Sequence, residues 1–139
     1  MKKITPMLTK IAYLIARFAA AIIMGQTLYF KFTGSPESMY IFKTVGMEPW
    51  GRWLVGIMEL VAAILLIIPR TAWAGGFLAV GLMIGAIGMH LTVLGIEVMG
   101  DKGQLFYYAM IVFLCGLYVV FNNRDKIENE VLPKIFKRK

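Results

Sequence analysis

Apolar residues fall into four long blocks, at positions 9–32, 52–68, 72–96 and 105–121, with short polar breaks between them. A membrane-spanning helix needs about 20 mostly apolar residues. Backbone groups in lipid have to pair within their own segment, so each block is predicted to be a helix. Pro69-Arg70-Thr71 is a tight break and makes the second and third blocks an antiparallel hairpin. Positions 97–104 read as a short polar loop. The stretch 33–51 is longer and carries its own signals. Ser35-Pro36-Glu37 supplies an N-cap, a proline for the first turn and an acid beside the positive helix end. Gly46 is a stop, with Pro49 beyond it. Met39 and Phe42, three apart, share one side of this short helix, which is predicted to lie in the interface plane with Trp50 and Trp53 anchoring the next span. An ordinary ordered loop is the alternative there. The expected fold is all-α: an integral membrane four-helix bundle with a short interfacial helix in the first loop, a single transmembrane domain over 1–139, and a tail at 122–139 able to form a short surface helix.

Composition supports lipid as the solvent. The chain is 59% hydrophobic and 17% charged, against roughly 45–50% apolar residues in soluble domains. Lys2-Lys3 before an apolar run resembles a signal peptide. The run is too long, however, Arg17 interrupts it, and Ala19-Ala20-Ala21 leads into more apolar chain, so it reads as an uncleaved first span. The net charge is +7, and the basic residues gather at the chain ends. No basic patch interleaved with aromatics points to nucleic acid. Lys2, Lys3, Lys10, Arg70 and the tail bases fall on one side of the bilayer; Lys31, Lys43, Arg52 and Lys102 fall on the other. The positive-inside rule then makes both termini cytoplasmic. Lys137-Arg138-Lys139 is placed to meet anionic lipid.

Chemistry-bearing residues are few. Cys115 is the single cysteine and His90 the single histidine. No metal-ligand spacing, phosphate loop or nucleophile elbow is present, so no metal site is expected and no cofactor is evident from motifs. Ionisable residues inside spans are costly and usually face a bundle interior. Arg17, Glu59 and His90 stand out, with Lys31 near the end of the first span. Depth along the helices puts Arg17 and Glu59 on the order of one turn apart, which predicts a buried pair. That pair either handles a ligand or a proton, or only fixes helix register. Lys31 shares a helix face with Arg17, and its stem can bend inward. Gln26 falls on the opposite face and is left out of the cluster. Gly56, Ala62 and Ala63 share a face with Glu59 and Arg52, as close packing of an inward face requires. Ala79, Met83 and Ala86 share one with His90, which reads either as a site residue or as a hydrogen-bonded histidine near the interface. Gly81, Gly85, Gly88, Thr92 and Gly95 form a second face of that span, expected to be a close-packing one. Cys115 reads as an inert buried thiol, and Tyr107 and Tyr108 as interfacial belt residues.

In this order the residues resemble the DoxX family of small four-helix bacterial membrane proteins. The features are Arg17 in the first span, Gly25-Gln26-Thr27-Leu28-Tyr29-Phe30-Lys31-Phe32 at its end, and Gly56-Ile57-Met58-Glu59-Leu60 in the second. Ile68-Pro69-Arg70 closes the second, His90 lies in the third, and Gly100-Asp101-Lys102-Gly103-Gln104-Leu105-Phe106 leads into the fourth. The family takes its name from a small membrane subunit of a thiosulfate- and quinone-linked oxidoreductase, and more distant relatives act as membrane chaperones or trafficking factors. The resemblance therefore implies a quinone-binding or anchoring subunit of a membrane redox assembly, with a quinone as cofactor and a redox protein as partner. The alternative is a non-enzymatic membrane chaperone, or a module that binds a lipid or small apolar ligand, with a client membrane protein as partner. A small transporter ranks below both, because no internal repeat is visible. No stand-alone enzyme is indicated, and the oligomeric state is not legible.

Overall fold

A computed structural model describes residues 4–136. The terminal basic residues Lys2, Lys3 and Lys137-Arg138-Lys139 lie outside them. Helix α1 covers Ile4–Thr33, the short α2 Pro36–Thr44, α3 Trp50–Ile67, α4 Ala72–Met89 and α5 Gln104–Asn122. A π-helical turn, His90–Leu94, extends α4. After Asn123 the chain stays helical through Arg124–Lys126, a π-helical turn at Ile127–Val131 and a last turn at Leu132–Phe136. No strand occurs among the described residues. Four segments are long and apolar enough to cross a membrane: Pro6–Thr33, Trp50–Ile67, Pro69–Leu94 and Gln104–Asn122.

The four long helices form a ring in which α1 touches α3, α3 touches α4, α4 touches α5, and α5 returns to α1. Side chains are deleted where helices must approach. A Cβ on Gly75 would stand 2.7 Å from the Leu66 nitrogen of α3, and one on Gly116 would stand 2.9 Å from Val80 Cγ2. Ala20, Ala62, Ala72 and Ala79 are wholly buried. The glycine face expected at Gly81, Gly85 and Gly88 does not do this work. A Cβ at any of the three would meet nothing within 4 Å. The tight crossings of α4 lie instead at the end of the bundle near the tail. At the other end α3 meets α1 closely at Gly56, where a Cβ would stand 2.9 Å from Phe32 Cε1, but the α4 side is looser.

The loop elements follow the sequence signals. Ser35 Oγ accepts from the Ser38 backbone N–H at 3.2 Å, with Pro36 opening α2. Phe42 turns inward and is buried, Met39 is half-buried, and Trp50 and Trp53 stay exposed. The 95–103 loop is held by Asp101, whose Oδ1 accepts from Val98 N at 3.0 Å and Gly103 N at 2.8 Å. Its Oδ2 accepts from Leu105 N in the first turn of α5 at 3.2 Å. The tail is tied down by Lys126, which donates to the Arg70 carbonyl at 2.9 Å, and by Asn123, which donates to the Tyr13 hydroxyl at 2.9 Å.

Two buried arginines fix the register of α1 against α3. Arg17 does not reach Glu59. Its Nε donates to the Leu66 carbonyl at 2.8 Å and its Nη2 to the Ile67 carbonyl at 2.6 Å. These are carbonyls of the last turn of α3, which has no intrahelical donors for them. The antiparallel register sets Arg17 level with that helix end. That is about 11 Å along the axis from Glu59, at 1.5 Å per residue, and more than the single turn expected. The rings of Tyr13 and Phe18 flank its guanidinium at 5.4 and 5.5 Å. At the opposite end the roles reverse: Arg52 of α3 donates through Nη1 to the Lys31 carbonyl in the last turn of α1. Glu48 balances Arg52, accepting from its Nε at 3.0 Å.

Replacing Arg17 by Met should leave two carbonyls unpaired in an apolar layer and lower stability in mild detergent by about 2–3 kcal/mol. Arg70→Gln, at an exposed position, should change it by no more than about 0.5 kcal/mol. Thermal unfolding followed by circular dichroism separates the two. Asp101 makes a pH-dependent contribution. Partial burial raises its pKa, but the three backbone donors outweigh that and hold it below the ordinary carboxylate value. A lowered folded pKa stabilises above the unfolded value of about 3.9, and that stabilisation is lost as pH falls through the folded one. Asp101→Asn should therefore cost about 1 kcal/mol near neutrality, as loss of a capping carboxylate does. The gap to wild type should begin to narrow in melts run below about pH 4 and close below the folded pKa.

Candidate functional site

A cavity of about 650 Å³ occupies the looser end of the bundle, the end capped by α2. All four long helices and α2 line it. Its volume lies within the range of about 300–1,000 Å³ usual for small-molecule sites. It exists because α4 presents Gly81 and Gly85 where larger side chains would fill the space. α2 covers its end with Ser38 and Phe42, both buried.

Polar groups reach the wall from every lining helix, Glu37 and Ser38 of α2 included. Glu59, held mid-helix on α3 and 5% exposed, pairs with Lys31, whose Nζ lies 2.9 Å from Oε2. Lys31 stands near the end of α1, and its stem bends inward along the helix. Thr27, one turn earlier, joins the pair. Its hydroxyl donates to the Met24 carbonyl at 2.8 Å, accepts from Lys31 at 3.3 Å and lies 3.3 Å from Glu59 Oε2. A buried pair of this kind compensates its own charge, and removing one member alone costs about 3–5 kcal/mol. The Arg52 bond to the Lys31 carbonyl ties down the backbone from which this side chain springs.

His90 opens the π-helical turn and is buried. Its Nδ1 lies 2.8 Å from the Gly95 carbonyl, which can only accept, so Nδ1 carries a proton. Gly95 turns that carbonyl back with φ +80° and ψ 169°, a conformation open to glycine alone. The edge of the ring meets Phe106 at 5.6 Å between centroids. Single π-helical turns recur at functional sites because they re-aim side chains. Tyr108 and Gln104 of α5 complete the polar lining, Gln104 donating to the Tyr108 hydroxyl at 2.8 Å.

Of the four residues singled out in the sequence, three meet at this cavity: Lys31, Glu59 and His90. Arg17 stands outside it, at the far end of α3. Gln26, set aside from helical phase alone, is part of the lining, as are Ile23 and Phe30 on the same stripe. The cavity lies toward α5 as well as toward α3, so a wider arc of α1 faces it than the Arg17–Lys31 face. Thr27 was passed over, although a hydroxyl four residues before a lysine is a readable signal. Tyr108, expected in an interfacial belt, points to the cavity, while Tyr107 is exposed. Cys115 is half-buried and lies outside the lining. No cluster of three metal-ligating side chains occurs among the described residues.

No curated protein and no solved structure shows a significant match to the chain. A sequence model of the DoxX-like family matches residues 15–120. That stretch carries Arg17, Lys31, Glu59 and His90, together with the glycines that open the cavity and the loop that orients the histidine. With these residues in place on four membrane-length helices, the chain is a multi-pass membrane protein and belongs to the DoxX-like family.

Proposed function

We propose that this protein holds a quinone-type amphiphile in the cavity at the α2 end and serves a membrane redox assembly as a binding or anchoring subunit. The observation that carries the reading is one cavity of about 650 Å³ with apolar walls, on which the Lys31–Glu59 pair and His90 converge. Pockets of this build, largely apolar with a few polar groups placed together, are the usual sites for cofactors. The donor set fits a quinone head group. Lys31 uses two N–H groups on Glu59 and Thr27 and keeps a third, and the Tyr108 hydroxyl accepts from Gln104 and keeps its own proton. When bound, such a group carries two electrons and two protons. The chain would orient it through Lys31 and Tyr108, shield it from water under α2, and offer Glu59 and His90 as proton acceptors. Electrons would come from a partner redox protein.

The orientation read from charge gains support from the side chains. Lys31 and Arg52 are turned into the bundle, so Lys43 and Lys102 are the exposed bases left among the described residues at the α2 end. The tail end keeps Lys10, Arg70 and Arg124 exposed. We therefore place α2 outside and both termini in the cytoplasm of a bacterial inner membrane.

Mass spectrometry of an organic extract of the protein purified in mild detergent should show a quinone near one per chain, and Gly85→Leu, which fills the cavity without removing a hydrogen bond, should lose it. Bulk phospholipid alone, unchanged in Gly85→Leu, would overturn the redox reading in favour of a lipid-binding or chaperone module. For orientation, Lys43→Cys in a Cys115→Ala background should react with an impermeant maleimide on intact cells, and Lys134→Cys should not. The reverse labelling would invert the topology.

A further inference from the structure

His90 has one ring nitrogen committed and one free. Nδ1 donates to Gly95, so in the neutral ring Nε2 is a hydrogen-bond acceptor. No hydrogen bond reaches Nε2 among the described residues, and no fully enclosed side-chain nitrogen or oxygen there lacks a partner. A residue 5% exposed overall thus keeps Nε2 open, and the space it borders is the cavity. Glu59 shows the same pattern: Oε2 takes Lys31, with the Thr27 hydroxyl beside it, and no hydrogen bond reaches Oε1. Glu59 is likewise 5% exposed. The two most deeply set polar groups of the cavity therefore both present acceptors. Donors remain on Lys31 and Tyr108, which are less buried, and on the Ser38 hydroxyl of α2, at 8% exposure still less deeply set than Glu59 and His90. The opposite charges of Lys31 and Glu59 cancel within one contact, so nothing on the deep wall calls for a charged ligand.

We infer that His90 Nε2 is a ligand-contacting acceptor, and that the preferred ligand is a neutral amphiphile whose head group donates a hydrogen bond through a hydroxyl, phenolic or aliphatic. This rests on the cavity being a ligand site, as proposed above, and adds the polarity of the head group and the residue that reads it. The π-helical turn, the Gly95 carbonyl and the edge of Phe106 fix the ring so that this acceptor, not a donor, meets the ligand. A head group of the same shape without the proton would leave the deep acceptors desolvated and unpaired, the costly half of any hydrogen-bond exchange.

The test uses the full chain in lipid nanodiscs and three probes with decyl tails: a para-hydroquinone under reducing conditions, its dimethyl ether, and decanol. Binding is read by isothermal titration calorimetry against empty nanodiscs. The hydroquinone should bind about tenfold tighter than its ether, the discrimination that one unpaired acceptor produces. Decanol set against the ether shows whether an aliphatic hydroxyl suffices or a phenol is needed, and either result is the inferred chemistry. His90→Phe keeps an aromatic ring beside Phe106 and removes the acceptor. It should bring the hydroquinone and ether within about twofold of each other while leaving the ether's own affinity in place. Equal binding of hydroquinone and ether to the unaltered protein would overturn the inference and leave the ligand site standing. Binding of neither, with decanol also silent, would overturn both.

Discussion

Helix ends inside a bilayer pose a problem that water solves elsewhere: the last carbonyls have no donors of their own. Here two arginines meet it reciprocally. Arg17 of α1 takes the final carbonyls of α3, and Arg52 of α3 takes a final carbonyl of α1. Each also places positive charge at the negative pole of the helix it caps. Because the two helices are antiparallel, the contacts lie at opposite ends of one interface and fix its register from both sides. The meeting of Lys31 with Glu59 follows from that register. A slip of one residue would rotate either side chain by about 100° and draw the pair apart.

A second constraint divides the bundle along its length. Near the tail, glycines and alanines bring α3, α4 and α5 into contact, and a Cβ at Gly75 or Gly116 has no room. Toward α2 the glycines of α4 have the opposite effect. Gly81 and Gly85 have no neighbour to approach, and the space they leave is the cavity. Small residues in membrane helices favour close approach only where a partner helix faces them.

Much of this was legible in the sequence. Block length set the four spans, and Ser35-Pro36-Glu37 marked α2 to the residue. Depth in the bilayer was the poor guide. Counting residues from span midpoints brought Arg17 toward Glu59, because it ignored how far α1 runs past its apolar block and how the helices are staggered. Helical phase alone could not tell which neighbour a face meets, and this misplaced Gln26 and the Gly81–Gly85 face. Glu59 and His90 were identifiable as inward-facing because an isolated carboxylate or imidazole in lipid is too costly to leave there. The capping role of Arg17 left no sequence mark, since it depends on backbone atoms 49 and 50 residues away.

The loop after the π-helical turn couples two events that look separate. Asp101 gathers backbone donors from both sides of the 95–103 segment and from the start of α5. The Gly95 carbonyl in that segment sets which nitrogen of His90 bears the proton. Loosening the loop would free the imidazole to rotate and exchange tautomers. The chemical identity of the deep wall is therefore written partly in main-chain atoms at the membrane surface, where no comparison of side chains lining the cavity would register a change.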